Sequence, residues 1–202
     1  MVHAMKIADA LDPVLSSPTK VRLLRTLFAL QARRWTGREL AKAARVSTSQ
    51  AARDLRELSD VGILRWDVLG RSYSWELSRN HVLFNPLADL FRLEANLRTE
   101  LVRQIAEELE SEPIRQAKLF GSVARGDERS DSDVDLFLEI KDASWAPQVN
   151  QALDRVRARI WRSFGNPVVP LVYTSSKVKR PPNPDLLSAI EHEGIDVKLT
   201  AE

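Results

Sequence analysis

The stretch Leu119-Phe120-Gly121-Ser122-Val123-Ala124-Arg125-Gly126, followed after a polar loop by Ser132-Asp133-Val134-Asp135-Leu136-Phe137-Leu138-Glu139-Ile140, decides how the chain is read. Ala117 to Phe120 has the composition of a strand. It runs into a glycine-punctuated turn that opens a short helix, where backbone amides point at an anion. From Asp133 to Ile140 the pattern has period two: Val134, Leu136, Leu138 and Ile140 fall on one face, and Asp133, Asp135 and Glu139 on the other. Carboxylates at i and i+2 of a strand project side by side, and sharing one or two hard divalent cations relieves their repulsion. The nearby helix start would receive the phosphates of a nucleotide carried by those cations, which is the geometry of phosphoryl transfer. An Asp-x-Asp alone carries little weight, because surface strands often alternate charge. A glycine-serine turn directly after a strand, with Ser122 eleven residues ahead of Asp133, makes the combination specific.

Together the two strings resemble the Gly-Ser and Asp-x-Asp signature of the DNA polymerase beta nucleotidyltransferase superfamily, over about residues 113 to 199. They are most similar to the small minimal nucleotidyltransferases, some of which are antitoxins that modify a partner protein. The resemblance implies that Gly121 and Ser122 hold nucleotide phosphates. It implies too that Asp133 and Asp135 are catalytic and bind two Mg²⁺ (or Mn²⁺), with a nucleoside triphosphate as substrate or ligand. Such domains usually add a third carboxylate from a later strand, and here the sequence departs from the pattern. After an amphipathic helix through Val149, Leu153, Val156 and Ile160, the segment Pro167-Val168-Val169-Pro170-Leu171-Val172-Tyr173 contains no acid. Glu139 is about 13 Å from Asp135 in an extended strand, a poor substitute, and Asp196 is a distant one. Pro170 suggests an edge or irregular strand. Lys177 to Pro182 reads as a solvated extended loop.

Upstream, Ser17-Pro18 is an N-cap with proline at the first helical position. Val21, Leu24, Leu27 and Phe28 then recur at helical spacing, which predicts a helix from Pro18 to about Ala32. Thr36-Gly37-Arg38-Glu39 and Ser47-Thr48-Ser49-Gln50 both read as capping boxes. The second opens a helix that buries Ala51, Leu55 and Leu58 and ends at Gly62. Two short capped helices with a tight Arg45-Val46 turn, followed by a hairpin (Leu64, Trp66, Val68, then Tyr73, Trp75, Leu77), are the pattern that lays a helix into the major groove. Ser49, Gln50 and Arg53 are placed to read base edges, and Thr48, Arg56 and Arg71 to anchor phosphates. This half resembles the ArsR-like or MarR-like winged-helix regulators. A winged helix used only for protein contacts is the alternative.

Between the halves, Asn85-Pro86 caps a long helix in which Leu93, Leu97, Leu101, Ile105 and Leu109 recur, joined by Leu87, Leu90 and Phe91. This stripe buries itself either within the chain or in a homodimer, and the sequence leaves both open.

The full chain has 202 residues, 29% of them charged, and a formal charge of +2. Residues 1–86 hold fourteen basic and eight acidic side chains, and residues 87–202 sixteen and twenty. A basic half suits double-stranded DNA, and an acidic half suits cations. The absence of cysteine excludes disulfides, thiol catalysis and cysteine-ligated zinc or iron. His3, His81 and His192 lack ligand spacing. No stretch approaches the roughly 18 apolar residues of a membrane span, and Met1 to Ala10 holds no signal-like run, so the expectation is a cytoplasmic protein with no membrane partner.

The expected architecture is α+β. It comprises a winged helix-turn-helix domain (1–86), a connecting or dimerisation helix (87–112) and a nucleotidyltransferase-like mixed sheet with flanking helices (113–202). The expected function is a DNA-binding transcriptional regulator whose second domain binds Mg-nucleotide and transfers a nucleotidyl group to a hydroxyl on nucleic acid or on a protein such as a toxin partner. The competing expectation is a transcription factor without catalysis, in which that domain is a nucleotide sensor or dimerisation scaffold.

Overall fold

A computed structural model of the chain describes residues 7–70, 72–129 and 131–199. Contacts divide the chain into two compact units, Met1–Ala95 and Asn96–Glu202.

In the first unit, α1 (Asp12–Leu15) precedes α2 (Pro18–Ala29), which ends three residues earlier than its apolar spacing suggests. The Ser17 hydroxyl accepts from the Lys20 amide and donates to the buried Asp54 carboxylate, so one side chain caps α2 and ties it to a later helix. A two-residue strand β1 (Trp35–Thr36) leads into α3 (Gly37–Ala43), where Thr36 and Glu39 form the reciprocal capping box expected of them. Helix α4 (Thr48–Asp60) starts at Ser47, whose hydroxyl accepts from the Gln50 amide. Only that half of the second box forms, because the Gln50 side chain turns instead to Asp54, donating from Nε2 at 2.9 Å. Ala51, Leu55 and Leu58 are fully buried, as their spacing predicts. Strands β2 (Leu64–Leu69) and β3 (Ser72–Leu77) form an antiparallel hairpin, with β1 on the outer side of β3. Trp66 pairs with Trp75 and Val68 with Tyr73 on one face. The end of that face near the helices is buried through Leu64, Trp75 and Leu77, whereas Trp66, Val68 and Tyr73 remain exposed.

Helix α5 (Phe84–Leu109) serves both cores. Leu87, Ala88 and Phe91 belong to the first, with Phe91 stacked on Phe28, and Leu101, Ile105 and Leu109 belong to the second. The leucine stripe is therefore buried within the chain at its two ends. Leu90, Leu93 and Leu97 are exposed, contrary to a single continuous buried seam.

The second unit is a mixed four-stranded sheet in the order β6-β5-β4-β7. Strand β4 (Ile114–Phe120) runs into α6 (Gly121–Arg125), and β5 (Val134–Ile140) lies antiparallel to β4. After a short 3-10 turn at Ala143–Trp145 comes α7 (Ala146–Phe164), then β6 (Val168–Thr174), parallel to β5 at the sheet edge, where Pro170 is tolerated. Lys177 to Lys179, expected as extended loop, belong to helix α8 (Ser175–Lys179), which is capped by the Thr174 hydroxyl, with the Lys177 ammonium 4.1 Å from the Tyr173 ring centroid. Helix α9 (Pro184–Glu193) and the short strand β7 (Ile195–Asp196) complete the unit.

One face of the sheet presents Val134, Leu136, Leu138 and Ile140 to α5 and α7, and all four are buried. The other face is not uniformly polar. Phe137 sits between Asp135 and Glu139 and is buried with Tyr173, Leu187 and Ile190, so α9 covers the middle of it. The acidic positions are left at its ends.

Candidate nucleotide and DNA sites

Asp135 is the second residue of β5, with Phe120 of β4 in register on one side and Val169 of β6 on the other. Asp133 directly precedes the strand and is exposed, whereas Asp135 is half-buried. Several backbone bonds hold this entry. The Val134 amide donates to Pro167 O, Asn166 Nδ2 donates to Ser132 O, and the Arg129 amide donates to the Ser132 hydroxyl.

Gly121 has φ +73°, and a Cβ on it would overlap Asp135 Oδ2 and lie 3.0 Å from Asp135 Cγ. The bend after β4 is thus pressed against the Asp135 carboxylate, and only glycine accommodates both the backbone angle and the contact. The helix it opens is closed by Gly126, φ +77°, whose amide returns to Ser122 O. Gly121, Ser122, Asp133 and Asp135 are therefore gathered at one end of the sheet.

Burial is the main cause that raises the Asp135 carboxyl above its ordinary value. The neighbouring Asp133 charge adds to the rise, and Arg125 opposes it. Two hard carboxylates, with Asp133 open to solvent, are a donor set that fits a Mg²⁺ taking its remaining ligands from water and phosphate. Among the described residues no group of three or more His, Cys, Asp and Glu is assembled to hold a metal. The structure shows why. The residue that flanks Asp135 on the parallel neighbour β6 is Val169, so the sheet position closest to a third acid is apolar. Glu139 accepts a hydrogen bond from the Ser175 hydroxyl at the far end of β5. Asp196 is bound to the buried Lys118 at 3.0 Å, on the opposite side of β4 from β5. Neither stand-in reaches the pair.

On the first unit, α4 exposes Thr48, Ser49, Arg53 and Arg56. Gln50 is half-buried, its amide shared between Asp54 and the Arg53 guanidinium, so it orients Arg53 as well as facing outward. Arg71 lies outside the described residues. Sequence reasoning missed Asp54, which gathers Ser17, Gln50 and Arg53 around one buried carboxylate. An acid three residues after Ala51 and four before Leu58 carries no signal of burial on its own.

Comparison with known families agrees with the geometry of the second unit. Residues 102–197 match the model of the nucleotidyltransferase domain. This covers the α5 end, both motif strands and β7, and gives the chain a nucleotidyltransferase-like domain on a mixed α+β framework. A search of curated proteins returns no match. Among the described residues no helix is long and apolar enough to cross a membrane.

Proposed function

We propose that the chain is a cytoplasmic DNA-binding regulator whose nucleotidyltransferase-like domain binds a nucleoside triphosphate as its Mg²⁺ or Mn²⁺ complex. The observation that carries the nucleotide half is the Gly121 bend packed against Asp135, with Asp133 beside it, inside a domain that matches the nucleotidyltransferase family. Asp133 and Asp135 would hold the metal, and Gly121 and Ser122 would face the phosphates. The bound ion supplies charge neutralisation for the triphosphate.

For the DNA half, the support is the fourteen-to-eight excess of basic side chains in residues 1–86 and the outward face of α4 followed by a hairpin. This is read as a winged helix-turn-helix. Ser49 and Arg53, steadied by Gln50, would reach base edges, while Thr48, Arg56 and Arg71 would hold phosphates of double-stranded DNA.

Val169 beside Asp135 favours a nucleotide sensor over a transferase, because the metal that lowers the pKa of an attacking hydroxyl lacks a ligand. The family match favours the second reading. There an acceptor oxygen on nucleic acid or on a partner protein attacks the α-phosphorus and pyrophosphate leaves. Incubation with α-labelled nucleotides, Mg²⁺ or Mn²⁺ and acceptors separates the two. Binding lost in Asp133→Ala and Asp135→Ala without label transfer identifies the sensor, and transfer lost in the same variants identifies the enzyme. Absence of nucleotide binding by the wild type sinks both.

A further inference from the structure

The hairpin of the first unit leaves an aromatic surface that duplex recognition by α4 does not use. Trp66 and Tyr73 are each 49% exposed and meet edge to face at 5.0 Å between ring centroids. Tyr73 also lines, with Trp75, a cleft of about 400 Å³ bounded by the start of α3, α4 and the hairpin. Arg38, Thr48 and Arg56 line it too, and Ser72 stands at the hairpin end. No carboxylate is among the described residues lining it. Neither Arg38 nor Arg56 forms an ion pair or hydrogen bond with another described residue, whereas Arg33, Arg34 and Arg53 of the same unit are engaged with acids. An adjoining hollow, sharing Arg56, Tyr73 and Trp75, includes Trp66 but also Asp60, so an anion belongs in the first cleft and an apolar ring at the boundary between them.

Two guanidinium groups without a partner among the described residues, lining one cleft with aromatic rings, are complementary to the phosphate and the planar base of one nucleotide. In a paired duplex the base faces are stacked on their neighbours, and Trp66 and Tyr73 would gain nothing. We propose that this cleft takes one unpaired nucleotide of a DNA strand, with its phosphate on Arg38 and Arg56 and its base stacked on Tyr73, the ring that Trp66 holds edge to face. The inference rests on the DNA-binding reading of this unit and deepens it. The chain would prefer duplexes that carry an extrahelical or unpaired base.

Fluorescence anisotropy of the full chain tests this with two labelled probes of equal length at one salt concentration, a fully paired duplex and the same duplex with one extrahelical adenine. One stacked base is expected to make the second bind about tenfold tighter. Trp66→Ala and, separately, Tyr73→Ala should bring that ratio to about one while the affinity for the paired duplex stays within about twofold, which also shows that each variant is folded. Arg56→Ala should weaken both probes. A wild-type ratio of one with firm binding of the paired duplex overturns this inference alone, as does a ratio that survives in both aromatic variants. Failure to bind either probe removes the DNA-binding reading and this inference together.

Discussion

Gly121→Ala isolates the contact on which the nucleotide site is built. An L residue forced to φ +73° pays about 1–2 kcal/mol in the left-handed region. The new methyl group would also push the Asp135 carboxylate off its rotamer, adding roughly 0.5–1.5 kcal/mol. The combined loss of stability is about 1.5–3.5 kcal/mol. Gly165 supplies the control, because it has φ +78° and a Cβ there meets nothing within 4 Å. Gly165→Ala should therefore cost only the backbone part. Urea unfolding of the full chain, followed by far-ultraviolet circular dichroism, measures both. In an Asp135→Ala background the carboxylate is gone, and the excess of Gly121→Ala over Gly165→Ala should largely disappear. Mg-nucleotide affinity of Gly121→Ala should fall by about 10–100-fold, as for loss of a group that orients a metal ligand. Equal costs for the two glycine variants, or an excess that persists without the carboxylate, would refute the claim that Gly121 makes room for Asp135.

Other expectations concern charge and metal. Asp135 has a raised folded-state pKa, so its ionisation costs stability that is lost as pH rises from the ordinary value of 3.8 through the folded one. Without divalent ions Asp135→Asn should thus raise Tm at pH 7, with the gap closing below 3.8, and added Mg²⁺ should stabilise the wild type only; a lower Tm for the variant at pH 7 would contradict this. Val169→Asp places a carboxylate in register with Asp135 and should tighten Mn²⁺ binding at least about tenfold by calorimetry, whereas an unchanged affinity would mean that this position does not face the pair. In gel-shift titrations Arg56→Ala should weaken DNA binding uniformly and reduce the salt slope by about 1, while Arg53→Ala relaxes sequence preference; identical behaviour of the two would remove the division between phosphate and base contacts.

Much of this molecule was legible before its coordinates. Period-two burial placed Val134, Leu136, Leu138 and Ile140 on one face of β5, and Thr36 with Glu39 marked the start of α3, because these patterns are local and backbone-driven. The conjunction of Gly121, Ser122, Asp133 and Asp135 was also local enough to read. What escaped was set by partners distant in sequence. Phe137 interrupts the acidic face because α9, some fifty residues later, covers it. Glu139 and Asp196 look available in sequence until Ser175 and Lys118 engage them. Gln50 has the spacing of a capping box, yet a buried Asp54 one turn on competes for its amide and wins. Exposure of Leu93 and Leu97 could not be foreseen either, since helical spacing fixes which side of α5 a residue occupies and not where each core ends.

The margins of the sheet have their own consequence. On one side β6 carries Pro170, which lacks an amide proton, and on the other β7 is only two residues long. Neither offers a long ladder of free donors and acceptors for an incoming strand, so the fold resists edge-to-edge aggregation and strand exchange between molecules. Replacing Pro170 with a residue that restores the missing donor would remove one of these guards.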